Sequence, residues 1–279
     1  MTRGGSRVGA VASAFPPKGT GSDWHSYYNC ILWLDASDAT TLFSNTGGTV
    51  AATAGAAVNR WKDKSRTGNH ATADQSAATL TLDASLGRTF LRGRLGMSLT
   101  NPYLLASCAA VTLFMVLKAD NTTGSDCLSP FVATTASMPY IATVSGSVYE
   151  TLGMVTSSSQ WAVVGSMTTA ANWNSTPSPW STAYRRMLYI IVCNPATNTM
   201  SILRSDGVTV VYQTQFDRSY WTNTNPTTLG YCHWIGSGLW YYFTGDLAEM
   251  LVFNTALTIG TSPSVTDVAT MLRNKWGLL

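Results

Sequence analysis

The stretch WKDKSRTGNHA, residues 61–71, concentrates the residue types that could do chemistry. An Asp, an Asn, a His and three cations lie beside a glycine, after a tryptophan that looks exposed. This set fits a ligand site, a metal loop, a basic patch or a turn. Asp63 and Ser65 are suited to bond backbone N–H groups across a turn, and the Gly68-Asn69 pair is suited to positive φ angles.

We therefore predict a structural turn in this stretch and no catalysis. Its cations Lys62, Lys64 and Arg66 form at most a contact patch for a neighbour. The residues that build the predicted turn are Trp61, Asp63, Ser65, Gly68 and Asn69.

The carboxylates offer little for sugar hydrolysis. A retaining glycosidase needs two carboxylates about 5 Å apart. The chain contains only two glutamates, Glu150 and Glu249. Asp246 lies three residues before Glu249, and on a regular strand such residues face opposite sides of the sheet. The spacing therefore disfavours a glycoside hydrolase.

Other catalytic arrangements are missing from the sequence. No Gly-x-Ser-x-Gly elbow, HExxH, paired Cys/His set, phosphate loop or dinucleotide fingerprint occurs. His25, His70 and His233 lack acidic neighbours placed to orient them. We predict no catalytic residue, no cofactor and no enzyme activity.

Calcium binding is a separate alternative. A calcium site needs several hard oxygen ligands. The only candidates are Asp35, Asp38, Asp63 and Asn69. We favour turn and cap hydrogen bonds from Asp35 and Asp38 to nearby backbone N–H groups, because the acids are sparse. The expectation is no metal.

Aromatic residues are plentiful, with ten Trp and twelve Tyr. Exposed aromatic rings can stack on sugar faces, whereas others fill cores or subunit contacts. The candidates for glycan binding lie in loop-like surroundings, and they are Trp173, Trp180 and Trp221.

Charge is low throughout the chain. Charged residues make up 11%, against roughly 25% in an average domain. The net charge of +3 is too small to indicate a nucleic-acid partner. The arginines Arg88, Arg92 and Arg94 do cluster, and we interpret them as solvated side chains.

Residues 1–29 form a predicted N-terminal arm. They are rich in Gly, Ser and Ala, and they show neither strand nor helix periodicity. We expect neighbouring subunits to order the arm, which would lose that order in isolation. The residues proposed for these contacts are Arg3, Arg7, Phe15 and Lys18.

Five scattered cysteines without ligand spacing indicate reduced, mostly buried thiols and assembly in a reducing compartment. No signal peptide opens the chain, and its longest apolar runs are strand-length. We therefore expect no membrane partner.

Short strands follow from Cys30 onward. Val111–Lys118 and Arg186–Cys193 are continuous apolar runs, as expected for strands covered on both faces. Two β-rich runs flank Asp206-Gly207, which predicts a tight hairpin. The pattern predicts an all-β antiparallel sandwich formed by one domain, residues 30–279.

One helix is predicted at the end of the chain. Ser262 or Ser264 can cap it, Pro263 suits its first turn, and Gly277 stops it. Its buried face is predicted from helical spacing, and it consists of Val265, Val268, Leu272 and Trp276.

Six segments in order resemble the concanavalin A-like, laminin-G-like jelly-roll domains of bacterial surface proteins and of virus and phage structural proteins. The segments are LWLDASDATTL (Leu32–Leu42), WKDKSRTGNHA, LFMVLKA (Leu113–Ala119), TLG (Thr228–Gly230), GDLAEMLVFNTALT (Gly245–Thr258) and LRNKWGL (Leu272–Leu278). The resemblance implies two stacked, curved antiparallel sheets with a C-terminal helix. In these domains the loop reads W-x-D-x-S-G-x-G-N-x-A, so Arg66 replaces a glycine and puts one strained position in doubt.

This fold hosts several functions, so three remain open. The first is a non-catalytic structural protein of a virus or phage particle, a minor capsid, decoration or tail component that contacts other virion proteins or copies of itself. The alternative is a carbohydrate-binding or adhesion module, which can occupy the same particle. A glycoside hydrolase is the third. The first predicts localisation in the virion.

Overall fold

The computed structural model describes residues 29–119, 126–128, 139–144, 149–155, 161–166, 187–203, 205–215, 228–229, 231–234, 239–260 and 263–278. Two sets of predicted contacts lie outside these residues. They are the arm contacts Arg3, Arg7, Phe15 and Lys18, and the sugar contacts Trp173, Trp180 and Trp221. Both sets, and the domain boundary after residue 29, stay predictions.

The described residues are almost entirely β-strand. The strands are β1 (Cys30–Asp35), β2 (Leu42–Phe43), β3 (Arg60–Trp61), β4 (Ala71–Ser76), β5 (Thr79–Asp83), β6 (Arg88–Leu99), β7 (Val111–Ala119), β8 (Asp126–Leu128), β9 (Pro139–Val144), β10 (Tyr149–Val155), β11 (Trp161–Ser166), β12 (Met187–Asn194), β13 (Thr199–Leu203), β14 (Val210–Gln215), β15 (Thr228–Leu229), β16 (Tyr231–Trp234) and β17 (Leu239–Phe253). A 3₁₀ turn spans Ala39–Thr41, and the helix α1 spans Val265–Trp276.

The strands form two antiparallel sheets. The smaller sheet has the order β11-β10-β9-β8, and the larger, 13-stranded sheet follows the path β14-β13-β12-β7-β17-β6-β4-β3-β2. Strand β6 pairs with different strands along its length. The first part of β6 pairs with β5 and β17, whereas its last part, Gly96–Leu99, pairs with β4. Side chains from both parts meet in one core, which makes the fold a sandwich.

A second core lies on the other face of the same sheet. Along β7, Leu113, Met115 and Leu117 enter the sandwich core, while Phe114 and Val116 pack toward α1. Alternate side chains of a strand point to opposite faces, so this strand is covered on both sides. The prediction from the continuous apolar run is confirmed, and so is the all-β jelly-roll class.

The helix follows the sequence prediction with one correction. Ser264 is the N-cap, and its hydroxyl and the Asp267 carboxylate form a capping box. Pro263 therefore precedes the cap and is not in the first turn as predicted. Gly277 ends the helix with φ 60°. The predicted buried face is confirmed, because its four side chains all pack in the second core.

The predicted hairpin is present, but it is not tight. Strands β13 and β14 pair antiparallel, and their connection runs from residue 204 to residue 209. The Asp206 carboxylate accepts the N–H groups of Val208 and Thr209 at 2.8 and 2.9 Å. Gly207, at φ 72°, packs against the first turn of α1, so the hairpin also positions the helix.

The cysteines that the structure describes meet the expectation of buried thiols. Cys30, Cys108 and Cys193 are buried free thiols, and burial raises the pKa of Cys30 and of Cys193 to about 12. In the described part of the chain, no helix is both long enough and apolar enough to cross a membrane.

Candidate functional site

The loop of residues 61–71 is organised by one buried carboxylate, that of Asp63. Its Oδ1 accepts the N–H groups of Trp33 and Ser65, each at 2.8 Å. Its Oδ2 accepts the Asn69 N–H at 2.8 Å and the Ser65 hydroxyl at 2.7 Å. A carboxylate has acceptor positions for about four bonds. Asp63 therefore acts as an acceptor for the backbone of the loop.

Several details of that loop differ from the prediction. The prediction that Trp61 is exposed is wrong, because its side chain is fully buried in the sandwich core. Gly68 has φ 66°, but Asn69 does not share its positive φ. Arg66 also lies outside the positive-φ region, so the turn does not require a glycine there. Asn69 instead uses its Oδ1 to accept the Asn101 N–H at 2.6 Å.

The strongest polar cluster lies beside this loop, around Glu249. Both oxygens of this fully buried carboxylate are engaged. Oε1 accepts the Trp33 indole N–H at 2.8 Å, and Oε2 accepts the Trp276 indole N–H at 2.7 Å. The Lys275 ammonium lies 2.7 Å from Oε2. The cluster ties β1, β17 and α1 together.

Asp35 extends the cluster toward the surface. Its Oδ1 is 2.8 Å from Lys275 Nζ, and its Oδ2 is 2.8 Å from Lys64 Nζ. Lys64 also pairs with Asp38 at 2.9 Å and lies over the Trp33 ring. Lys64 is thus part of this network, which corrects its assignment to a contact patch for a neighbour.

The cluster shifts the pKa values of its acids in opposite directions. Burial, followed by the nearby Asp35 carboxylate, raises the pKa of Glu249. For Asp35, burial opposes ionisation, but the Lys275 and Lys64 ammonium groups outweigh it and lower its pKa. For Asp38, burial again opposes ionisation, but the hydrogen bonds from Thr40 and Lys64 outweigh it and lower the pKa.

Asp246 and Glu249 do not face opposite sides of the sheet, which corrects the sequence argument. The register of β17 against β7 shifts between Leu247 and Glu249, so Ala248 is an extra residue. Such a bulge places two successive side chains on one face. Asp246 pairs there with Arg92, separately from the partners of Glu249. The argument from spacing was wrong, but both carboxylates are held by structural partners.

The candidate calcium ligands make the turn and cap contacts that we expected. The Asp35 carboxylate accepts the Ser37 N–H at 3.0 Å, and Asp38 caps the 3₁₀ turn through the Thr40 N–H at 3.1 Å. In the part of the chain that the structure describes, no group of three or more His, Cys, Asp or Glu is placed to hold a metal ion. The absence of a metal stays a prediction.

His70 is a structural acceptor within the same loop. Its Nδ1 accepts the Asp63 N–H at 3.0 Å, which requires that nitrogen to be unprotonated. Burial lowers the pKa of His70, and the Arg60 charge lowers it further. The hydrogen bond and the lowered pKa both favour the neutral imidazole.

The outer face of β6 carries the three clustered arginines. Arg88, Phe90, Arg92 and Arg94 share one face by alternation, while Leu91 and Leu95 enter the sandwich core on the other. Arg92 and Arg94 are exposed, and Arg88 is half-buried. The sequence shows that the three arginines lie close together along the chain. It does not show that they share one face of the sheet, because this depends on where the strand begins and ends.

No protein-family model matches the sequence, and no curated protein matches it. Solved structures do resemble the fold. One is the binding domain of botulinum neurotoxin DC in complex with rat synaptotagmin II, at a TM-score of 0.52 and 9% identity over 88% of this chain. The same binding domain in complex with SialylT has a TM-score of 0.50 and 10% identity over 90% of this chain. A Trypanosoma rangeli sialidase in complex with 2,3-difluoro-KDN has a TM-score of 0.51 and 12% identity over 95% of this chain.

The likeness concerns only part of each of those proteins. The match covers 52% and 55% of the two toxin binding-domain chains and 36% of the sialidase chain. At these identities the likeness establishes the fold alone, an all-β sandwich of the jelly-roll type.

Proposed function

We propose that this chain is a non-catalytic carbohydrate-binding module. The proposal that the module does not catalyse a reaction rests on the burial of Glu249. Glu249, the acid that a glycosidase hypothesis would use, lies in the core, with its two oxygens bound to two indole N–H groups and an ammonium. A catalytic acid must reach its substrate within hydrogen-bonding distance. Glu249 instead holds β1, β17 and α1 together.

Sugar binding is supported by the kind of fold. The sandwich resembles a toxin binding domain in complex with SialylT and a sialidase in complex with 2,3-difluoro-KDN. We place the sugar contacts at Trp173, Trp180 and Trp221, which lie in polar, loop-like sequence. Aromatic rings give large contact areas with little loss of side-chain freedom.

The experiment is a glycan array with the full chain, in buffers with and without calcium, followed by single Trp→Ala variants. We expect a defined set of glycans to bind. We also expect the variant that removes a sugar platform to weaken binding by about tenfold or more. Tyr103→Ala is the matched control, because Tyr103 is an exposed aromatic residue, 39% accessible, outside the proposed loops. An array with no bound glycan contradicts the proposal.

A structural role in a virus or phage particle stays a second prediction. It depends on Arg3, Arg7, Phe15 and Lys18, which lie outside the described residues. The structures named above are a toxin binding domain and a sialidase, so they favour sugar binding over assembly. Hydrogen exchange of the isolated chain separates the roles. An arm that is protected in isolation contradicts ordering by neighbouring subunits.

A further inference from the structure

We infer that the side chains of Lys275 and Asp35 condense to an amide within the folded chain, with Glu249 transferring a proton in the step. The amide joins β1 to α1 covalently. The reaction occurs once per chain and turns over no substrate, so it is independent of sugar binding. The inference rests on the contacts of the Lys275 ammonium, on the shelter of the cluster and on the groups that hold Asp35.

The Lys275 ammonium contacts two carboxylates at once. Its Nζ lies 2.8 Å from Asp35 Oδ1 and 2.7 Å from Glu249 Oε2. An amine held against a carboxyl group needs no diffusional encounter, and such proximity corresponds to effective concentrations of about 10⁵–10⁸ M. This proximity offsets the cost of condensation, which is unfavourable between a free amine and a free acid in water.

The reacting groups are sheltered from solvent. The side chains of Asp35 and Glu249 are 5% and 0% accessible, and that of Lys275 is 17% accessible. The Lys275 ammonium also lies 5.4 Å from the centroid of the Trp276 ring. Burying an ion pair costs desolvation free energy. The condensation replaces the ion pair of Lys275 and Asp35 by a neutral amide, and burial limits the access of water that would hydrolyse it.

Asp35 is held by donors that favour attack at its carboxyl carbon. Ser37 donates its N–H and its hydroxyl to Oδ1 at 3.0 and 2.7 Å, and Lys64 Nζ lies 2.8 Å from Oδ2. Such donors stabilise the negative charge that develops on the oxygens during attack. Burial lowers the pKa of Lys64, but Asp35 and Asp38 outweigh burial and raise it. Lys64 therefore stays protonated, and Lys275 is the nucleophile.

Glu249 is placed to carry a proton between the reacting groups. Burial, followed by the Asp35 carboxylate, raises the pKa of Glu249, so it accepts a proton more readily than an ordinary glutamate. Burial opposes the ionisation of Asp35, but Lys275 and Lys64 lower its pKa. Direct protonation of Asp35 is therefore disfavoured, and Glu249 Oε2, in contact with Nζ, provides the relay.

The step balances as the loss of one water. Of the three protons on Lys275 Nζ, one stays on the amide nitrogen. The other two pass to Asp35 Oδ1, one of them by way of Glu249. The Nζ–Cγ bond forms and the Cγ–Oδ1 bond breaks, so Oδ1 leaves as water and Oδ2 remains as the amide oxygen. Glu249 ends in its starting protonation state, and the step consumes no oxidant or cofactor.

The amide ties the first described strand to the last helix. Asp35 ends β1, and Lys275 lies in the last turn of α1. A cross-link between positions far apart in the sequence restricts the unfolded chain and thereby stabilises the folded one. The cross-linked module resists unfolding from either end.

The test is the intact mass of the purified full chain. We expect it to be lower than the sequence mass by one water, and digestion should yield a branched peptide that joins Asp35 to Lys275. Lys275→Arg keeps the charge and should have the full mass of its sequence, while thermal unfolding confirms that it is folded. Glu249→Gln should slow formation about a hundredfold or more, measured as the cross-linked fraction at set times after cell-free synthesis.

The control variant is Lys62→Arg, which changes an exposed lysine of the neighbouring loop and should keep the water loss. A wild-type chain at its full sequence mass contains an ion pair only and overturns the inference. A water loss in a linear peptide at Asp206-Gly207, where an imide can form, overturns it as well. Cross-linking of folded Glu249→Gln at the wild-type rate contradicts the relay. None of these outcomes depends on glycan binding, so the proposed function is tested separately.

Discussion

Trp33 and Trp276 donate their indole N–H groups to opposite oxygens of one buried carboxylate, that of Glu249, at 2.8 and 2.7 Å. The two tryptophans come from the first described strand and the last helical turn. Lys275 completes the cluster by pairing with Glu249 and Asp35. The ends of the folded domain are thus joined through one side chain.

Replacing Glu249 by Ala should lower the free energy of unfolding by about 3–5 kcal/mol, because it leaves two buried indole N–H groups without their acceptor and the partly buried Lys275 ammonium with Asp35 as its remaining carboxylate. Urea denaturation measures the change. Lys275→Met and the double variant complete a mutant cycle. We expect a coupling of about 1–3 kcal/mol between the two positions. Additive losses would show that the pair is not energetically connected.

Replacing Asp63 by Ala should destabilise the loop and the domain by about 2–3 kcal/mol, because buried N–H donors of Trp33 and Asn69 lose their acceptor. Hydrogen exchange at these two amides should speed up more than exchange elsewhere. Lys62→Ala is the control, since this neighbouring exposed side chain should change stability by less than about 0.5 kcal/mol. Unchanged exchange at both amides contradicts the role assigned to Asp63.

The lowered pKa of His70 predicts a dependence of stability on pH. Below its ordinary pKa of 6.5, the unfolded chain binds a proton more readily than the folded chain, so stability decreases as pH falls. Glu249 has the opposite effect, because its raised pKa makes stability decrease as pH rises above 4.5. The His70→Gln variant therefore isolates the first effect. We expect the urea midpoint of the wild type to fall relative to that of the variant between pH 7 and pH 5. Parallel curves would contradict the neutral His70.

Gly207 and Gly87 provide a matched pair for testing how the β13–β14 hairpin docks on α1. Both have positive φ, at 72° and 62°. A Cβ on Gly207 would lie 3.2 Å from Ala269 Cβ and from the Thr266 backbone, whereas one on Gly87 meets nothing within 4 Å. Gly87→Ala should cost about 1 kcal/mol from strain alone. Gly207→Ala should lower the melting temperature further, and equal losses would mean that the hairpin tip does not contact the helix tightly.

The sequence predicted the elements whose patterns are local. The apolar run Val111–Lys118 predicted a strand covered on both faces, and helical spacing predicted the buried face of the last helix. The loop turn was predictable because Asp63, Ser65 and Gly68 act within a few residues of one another.

The features that sequence reasoning missed depend on distant contacts. Trp33 and Glu249 are 216 residues apart, so nothing in either segment shows that they form one cluster. The bulge at Ala248 arises from the pairing of β17 with β7. Because of this bulge, Glu249 lies on the same face of the sheet as Asp246, and not on the opposite face. Trp61 looked exposed beside charged residues, but its strand pairing turns the ring into the core.

We propose that the chain binds a glycan without cleaving it. In the decisive test, the immobilised full chain is exposed to a glycan mixture, and the masses of the eluted glycans are measured by mass spectrometry. We expect a subset of glycans to be retained and recovered intact, at the same mass as the input. Recovery of shortened glycans, or retention of none, would contradict it.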